Sequence, residues 1–324
     1  MGAAEPKPTG SGPFKLEQAI KVHSHPVHGV AMDPDSSAFA TASWDATVKI
    51  VDIARGGIVR TLGDQPEGAM SGLYSVAFSR TQGHRILGCT SADSHVYIWN
   101  YQTGERQRRL EGHAGEVNGI DFHPGQDLCA TASDDGSCRV WDVEEHLCLR
   151  TLAHGPKTVY GCRFMGLERQ YLVSTCCFDY RVRTFDMRSQ QVVSSLEVHA
   201  DDITGVDFSS RMNLLATGSD DGTICLVDAR TYNLVNRIDT RTFEADNEVK
   251  RVAFSPDGSW LAAACSSGTV LVYDVGESPA KPLAELSGHV DCTFDVTWGI
   301  AQNGAKMLVS AAHDNACAVW KQAL

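Results

Sequence analysis

The sequence has no run of about 18 apolar residues, so it offers no segment able to cross a membrane as a helix. It also has no surplus of positive charge. Lys and Arg number 28 against 40 Asp and Glu, a net charge of −12, which argues against a general phosphate-backbone binder. No C-x-x-C pair occurs among the eleven cysteines, which argues against a zinc knuckle, and most of them sit inside apolar, strand-like runs. Phosphate loops of the G-x-x-x-x-G-K-[ST] type, G-x-G-x-x-G, H-E-x-x-H and G-x-S-x-G are all missing. With them go the usual sequence signs of nucleotide, metal or serine-hydrolase chemistry. No stretch holds a helical period for long, either. The reading is therefore of a reduced, non-secreted protein of the cytoplasm or nucleus, without catalytic residues, metal or cofactor.

What is present is repetition. The segment from Gly112 to Val143 places His113, then Asp135 after 22 residues, then Trp141 and Asp142. The same spacing of 22 links His23 to Asp45 and His199 to Asp221. Looser copies end at Asp93/Trp99, Asp179/Phe185, Ser267/Tyr273 and Asp314/Trp320. Successive Asp-equivalent positions lie 48, 42, 44, 42, 46 and 47 residues apart. Seven units at that period, with Asp-Gly turns at Asp135-Gly136 and Asp221-Gly222 and period-two alternation around them, predict four-stranded blades of a propeller. Phe14, Leu16, Gln18, Ile20 and Val22 alternate as well, and Ala19–His23 aligns with Ser195–His199. This predicts that the N-terminal strand completes the last blade and closes the ring. Residues 1–13 are polar and rich in Pro and Gly and read as a flexible tail, with residues 14–324 as one domain.

The GH…ASDDGS…VWD pattern of Gly112–Asp142 resembles the WD-repeat signature, and the whole of Phe14–Trp320 is similar to a seven-bladed WD-repeat β-propeller. The resemblance implies an all-β ring and a non-catalytic scaffold that binds a peptide or protein partner. It also implies a structural role for the recurring polar set: His113, Ser133, Asp135 and Trp141 in blade three, His23, Ser43 and Asp45 in blade one, His199, Ser219 and Asp221 in blade five. Only blade three is expected to keep all four members. Blade seven has Ala312 where Ser is expected, and blades two and six are expected to rely on apolar packing.

Two repeated positions are implied to project onto the top rim. They hold His28, Tyr74, Asn118, Tyr160, Thr204, Lys250 and Phe294 in one series, and Trp44, Ala92, Asp134, Phe178, Asp220, Ser266 and His313 in the other. Aromatics gather on blades seven, one and two. Acids gather on blades three, five and six, where Glu116, Asp202 and Glu248 add to Asp134 and Asp220. The combination suits a peptide with an apolar anchor and a basic side chain, bound by a monomeric ring inside a larger complex. A second reading comes from Asp186-Met187-Arg188, which resembles the D-x-R ending of propellers that serve as substrate receptors of cullin-type ubiquitin ligases; Asp186 and Arg188 would then contact the adaptor. Irregular loops at Asp64–Gly72, Met165–Gln170 and Gly299–Lys306 are further candidates for specificity.

Overall fold

Apolar residues two apart and turns every few residues leave the chain one economical solution, a series of short antiparallel meanders. The structure, a computed structural model, describes residues 9–10, 12–63, 71–81, 83, 85–242 and 246–323. Most of Asp64–Gly72 and of the N-terminal stretch thus lies outside the described residues. The rest forms seven antiparallel sheets arranged as a ring. Blade three is representative, with strands Val117–Phe122, Leu128–Ser133, Ser137–Asp142 and Leu147–Ala153, running from the central channel to the outer wall. Phe14–Lys21 pairs with Ala316–Gln322, with Phe14 opposite Gln322 and Ile20 opposite Cys317. The N-terminal strand thus closes blade seven, as its alternation predicts.

A single blade cannot bury both faces of its sheet, and the ring solves this at seven places. Seven hydrophobic clusters are found, one between each pair of neighbouring blades. Between blades one and two, for example, Val48, Ile50 and Leu62 meet Leu73, Phe78 and Trp99. Nine of the eleven cysteines are buried and none is in a disulfide. Burial pushes the Cys89 thiol up to about 12, so it stays protonated.

The turn after the repeated Asp position (Ser267 in blade six) holds a left-handed residue in every blade. Gly136 has φ 77° there, and a Cβ would strike the Gly155 carbonyl oxygen at 1.8 Å. Four blades hold the same conformation without glycine, at Ala46, Ser94, Tyr180 and Asn315.

The polar chain inside the blades differs from the expected one in its hydroxyl. In blade three, His113 Nδ1 bonds Asp135 at 2.8 Å, while its Nε2 meets Thr131 Oγ1 at 2.8 Å. The Trp141 indole donates to that same Thr131 at 2.8 Å. Ser133 instead accepts from the Asp135 amide and donates to the Gly115 carbonyl, pinning the turn. The same correction applies to Ser43 and Ser219, whose places in the chain are taken by Thr41 and Thr217. The physical reason is depth along the strand, which alternation does not decide. The residue that faces His and Trp lies two positions earlier on the same sheet face, deeper in the blade. Blade seven is corrected too. Ser310 joins His289 at 2.9 Å and Trp320 at 3.1 Å, with Asp314 on the other imidazole nitrogen, so its set is complete despite Ala312. Blades two and six place Cys89 and Ala263 at this position, and Trp99 Nε1 and Tyr273 Oη find no hydrogen-bond partner.

Two tests follow from this chain. Thr131→Val leaves the Trp141 N–H and His113 Nε2 buried without partners, and should cost about 2–4 kcal/mol. Ser133→Ala should cost only about 1 kcal/mol. Denaturant midpoints of the two variants check the order. The carboxylates of Asp45, Asp135, Asp221 and Asp314 lie below the usual range. Burial opposes their ionisation, but hydrogen bonds from His and from neighbouring hydroxyl or amide groups outweigh it. Their contribution to stability is therefore complete above about pH 4 and is lost as pH falls further.

Candidate functional site: the top face

The innermost strand of each blade begins at the top of the channel, and the turn between the second and third strands lies beside it. Both series of implied rim positions therefore reach the same face. On blades seven, one and two they converge. His28 stacks on Trp44 with ring centroids 4.6 Å apart and 11° between planes. Phe294 stacks on His313 at 4.0 Å, and Tyr74 and His28 meet at right angles at 5.6 Å. His28 Nε2 and His313 Nε2 are 3.0 Å apart, so one imidazole donates to the other across the blade seven–blade one seam.

Exposure separates these residues. Trp44 is 47% exposed, a large value for tryptophan, whereas His28 is 8% exposed. His28, read from sequence as a rim residue, forms the floor of the patch. Phe294, His313 and Tyr74 are half-buried walls. Burial, with His313 and Arg251 nearby, pulls the His28 imidazole down to about 3. It stays neutral in the folded protein, whereas in the unfolded chain it takes up a proton near pH 6.5. Stability from this group is complete above pH 6.5 and declines by about 1.4 kcal/mol per pH unit as pH falls toward 3. The His28 Cε1 proton should show no titration step above pH 5 by NMR; a step near pH 6.5 would contradict the floor position.

The neighbouring arc is acidic and knitted to the ring. The Tyr74 hydroxyl donates to Glu116, and Tyr160 donates to Asp202 at 3.3 Å. Asn118 donates to Asp134 at 2.7 Å, and Thr204 donates to the Val249 carbonyl at 2.6 Å. Lys250 pairs with Asp220 at 2.9 Å and with Glu248 at 2.5 Å. Burial raises Asp202 to about 6, with Asp201 and Asp220 adding repulsion that the Tyr160 bond only partly offsets. Asp220 is raised for the same kinds of reason despite its bond from Lys250. The arc thus holds more negative charge than its own groups neutralise. Phe178, 39% exposed under the Lys157 ammonium at 4.9 Å, stands apart on blade four.

Below the rim runs a channel of about 1230 Å³. Its charged residues were not among the sequence-derived candidates. Arg163 bridges Asp121 at 3.0 Å and Asp207 at 2.8 Å, joining blades three, four and five. Each of these Asp residues also accepts a backbone N–H from the next blade: Phe164 to Asp121 at 2.9 Å and Phe254 to Asp207 at 2.7 Å. Asp295 does the same for Val30 across the closing seam, at 3.0 Å. These are ring staples. The sequence signal is an Asp between two apolar residues of the innermost strand, as in Ile120-Asp121-Phe122, Val206-Asp207-Phe208 and Phe294-Asp295-Val296. Among the described residues, no group of three or more His, Cys, Asp or Glu side chains is placed to hold a metal ion.

Two of the irregular loops lie on the opposite face. Met165–Gln170 contains a short helical turn at Leu167–Arg169, and Leu167 is 63% exposed; Ile300 at the edge of Gly299–Lys306 is 46% exposed. Asp186 and Arg188 lie at the turn between the third and outer strands of blade four, at the outer edge of that same opposite face, where Arg188 grips its own Asp186 through two bonds of 3.0 and 2.6 Å and lies over the Tyr171 ring.

Comparison with known proteins agrees with this architecture. Residues 14–52 and 104–142 match the WD domain, G-beta repeat, and residues 162–323 match the Nucleolar protein 10-like, N-terminal domain. The chain belongs to the WD-repeat β-propeller family. This propeller is 26% identical over 317 residues to Protein tipD of Dictyostelium discoideum, covering 95% of this chain and 49% of that protein. It is 28% identical over 292 residues to Pre-mRNA-processing factor 19 homolog 2 of Arabidopsis thaliana, covering 84% and 52%. Against the Nuclear distribution protein PAC1 of Arthroderma otae it is 26% identical over 291 residues, covering 80% and 61%. The propeller spans about half to three-fifths of the length of these relatives.

Proposed function

We propose that this WD-repeat propeller is a non-catalytic scaffold whose top face recognises a protein or peptide partner with an apolar anchor and a Lys or Arg side chain. The observation that carries the reading is Trp44, held rigid by its stack on His28 yet half exposed, beside an acidic arc of Glu116, Asp134, Asp202, Asp220 and Glu248. A rigid aromatic with an accessible face is the usual centre of an interface hot spot. The acids would steer and orient a basic group more than add affinity. Relatives named for pre-mRNA processing and nuclear distribution are consistent with a scaffold in nucleus or cytoplasm.

The test is affinity capture from native extract with three baits: wild type, Trp44→Ala and Asp134→Lys. The reading expects one set of partners to be lost with Trp44→Ala and weakened with Asp134→Lys. A partner list unchanged by both would overturn it.

A second reading rests on Arg188, which is at the outer edge of the opposite face and 64% exposed at its side chain. Arg230 on blade five repeats the same fork on Asp228. An adaptor of a ubiquitin ligase reading Asp186 and Arg188 requires this exposure. Arg188→Glu should then remove one partner while leaving the Trp44-dependent set intact.

A further inference from the structure

Outer strands of a propeller expose one row of unpaired backbone groups, and charge along the strand is the ordinary protection against stray pairing. The described outer strands use it. Arg60, Arg150 and Arg237 lie within Gly57–Leu62, Leu147–Ala153 and Asn233–Asp239. Arg106–Leu110 carries three arginines, and Phe14–Lys21 carries Lys15, Glu17 and Lys21. In blades one and three the arginine also clasps the next blade: Arg60 donates to the Thr103 and Gln102 carbonyls, and Arg150 to the Met187 carbonyl.

Blade four is the exception. Its outer strand, Gln191–Glu197, has no charged residue from Gln191 to Leu196, and Ser194 stands where the clasping arginine stands in blade three. Val192 and Val193 are 48% and 47% exposed. Glu197 at one end is already paired with Arg181 at 2.6 Å, and Arg188 near the other is paired with Asp186. An incoming strand would meet no unsatisfied charge from these groups. The chain also shows that an outer edge can accept a strand, even on blade six, where the outer strand carries Lys281 and Glu285. On blade six, Thr9–Gly10 pairs antiparallel with the outer strand, Thr9 opposite Ser287 and Gly10 opposite Leu286.

We propose that the outer edge of blade four is a strand-addition site for an extended, uncharged, β-branched segment of a partner protein. Backbone hydrogen bonds supply the affinity and the exposed valines favour β-branched neighbours. A segment fits better than a second ring. Seven residues of edge fall short of the ~1,200 Å² that a stable protein–protein interface buries.

The probe is a fluorescent, end-capped heptapeptide of alternating Thr and Val, read by anisotropy, with hydrogen exchange locating it. Wild type should bind it with slowed exchange confined to Gln191–Glu197. Val193→Lys/Ser195→Lys should weaken binding about tenfold or more, as should N-methylation of alternate peptide amides. A matched folding check by near-UV circular dichroism keeps the variant interpretable, and Trp44→Ala should bind the probe as wild type does. Equal binding to wild type and the lysine variant, indifference to N-methylation, or concentration-dependent dimerisation of the wild type through this edge would each overturn the proposal.

Discussion

Replacing Trp44 by Ala should weaken the top-face partner by at least about 2 kcal/mol, close to thirtyfold in Kd, with little change in stability. The magnitude follows from geometry. The indole is stacked on His28 and flanked by Tyr74 and His313, so little rotamer entropy is lost on binding, and about half of it is open to solvent. Phe294→Ala is a poorer tool. Phe294 stacks on His313 and contacts His28, so its loss would loosen the patch as well as the interface. Calorimetric titration of the captured partner into wild type and Trp44→Ala measures the difference. A change below threefold would mean that Trp44 is merely an exposed aromatic.

The largest stability effect should come from the channel. Arg163→Met removes the cation between Asp121 and Asp207 and should cost about 3 kcal/mol or more, because Asp121 is 2% exposed at its side chain and, besides the Phe164 N–H, keeps as a cationic partner only Arg80 at a longer 3.4 Å. Adding Asp121→Asn and Asp207→Asn to Arg163→Met should recover much of the loss, since the amides can still accept the Phe164 and Phe254 N–H bonds without a buried charge. Chemical denaturation of the single and triple variants tests this. If the triple variant is less stable than Arg163→Met, the bridge is not the source of the cost.

Much of this architecture was legible from the residues because the fold is periodic. The His-to-Asp spacing of 22 residues marks the same loop and turn three times over, and the alternation from Phe14 to Val22 places the closing strand. What periodicity cannot show is depth. Ser133 and Thr131 share a sheet face two positions apart, and only packing decides that Thr131 meets Trp141. His28 and Trp44 occupy equivalent kinds of rim position, yet one is covered by the other. Arg163 gives no signal in the sequence because its partners, Asp121 and Asp207, lie 42 and 44 residues away on other blades. On the side wall, the uncharged run from Gln191 to Leu196 becomes notable only when the outer strands are compared as a set.

The central claim is that recognition occurs on the top face. Hydrogen–deuterium exchange of the propeller with and without its captured partner tests it most directly. Slowed exchange at Trp44, Tyr74, Asn118, Tyr160 and His313, with the opposite face unchanged, is the predicted result. Protection confined to Leu167, Ile300 and the opposite channel mouth, with the Trp44 turn exchanging freely, would contradict it.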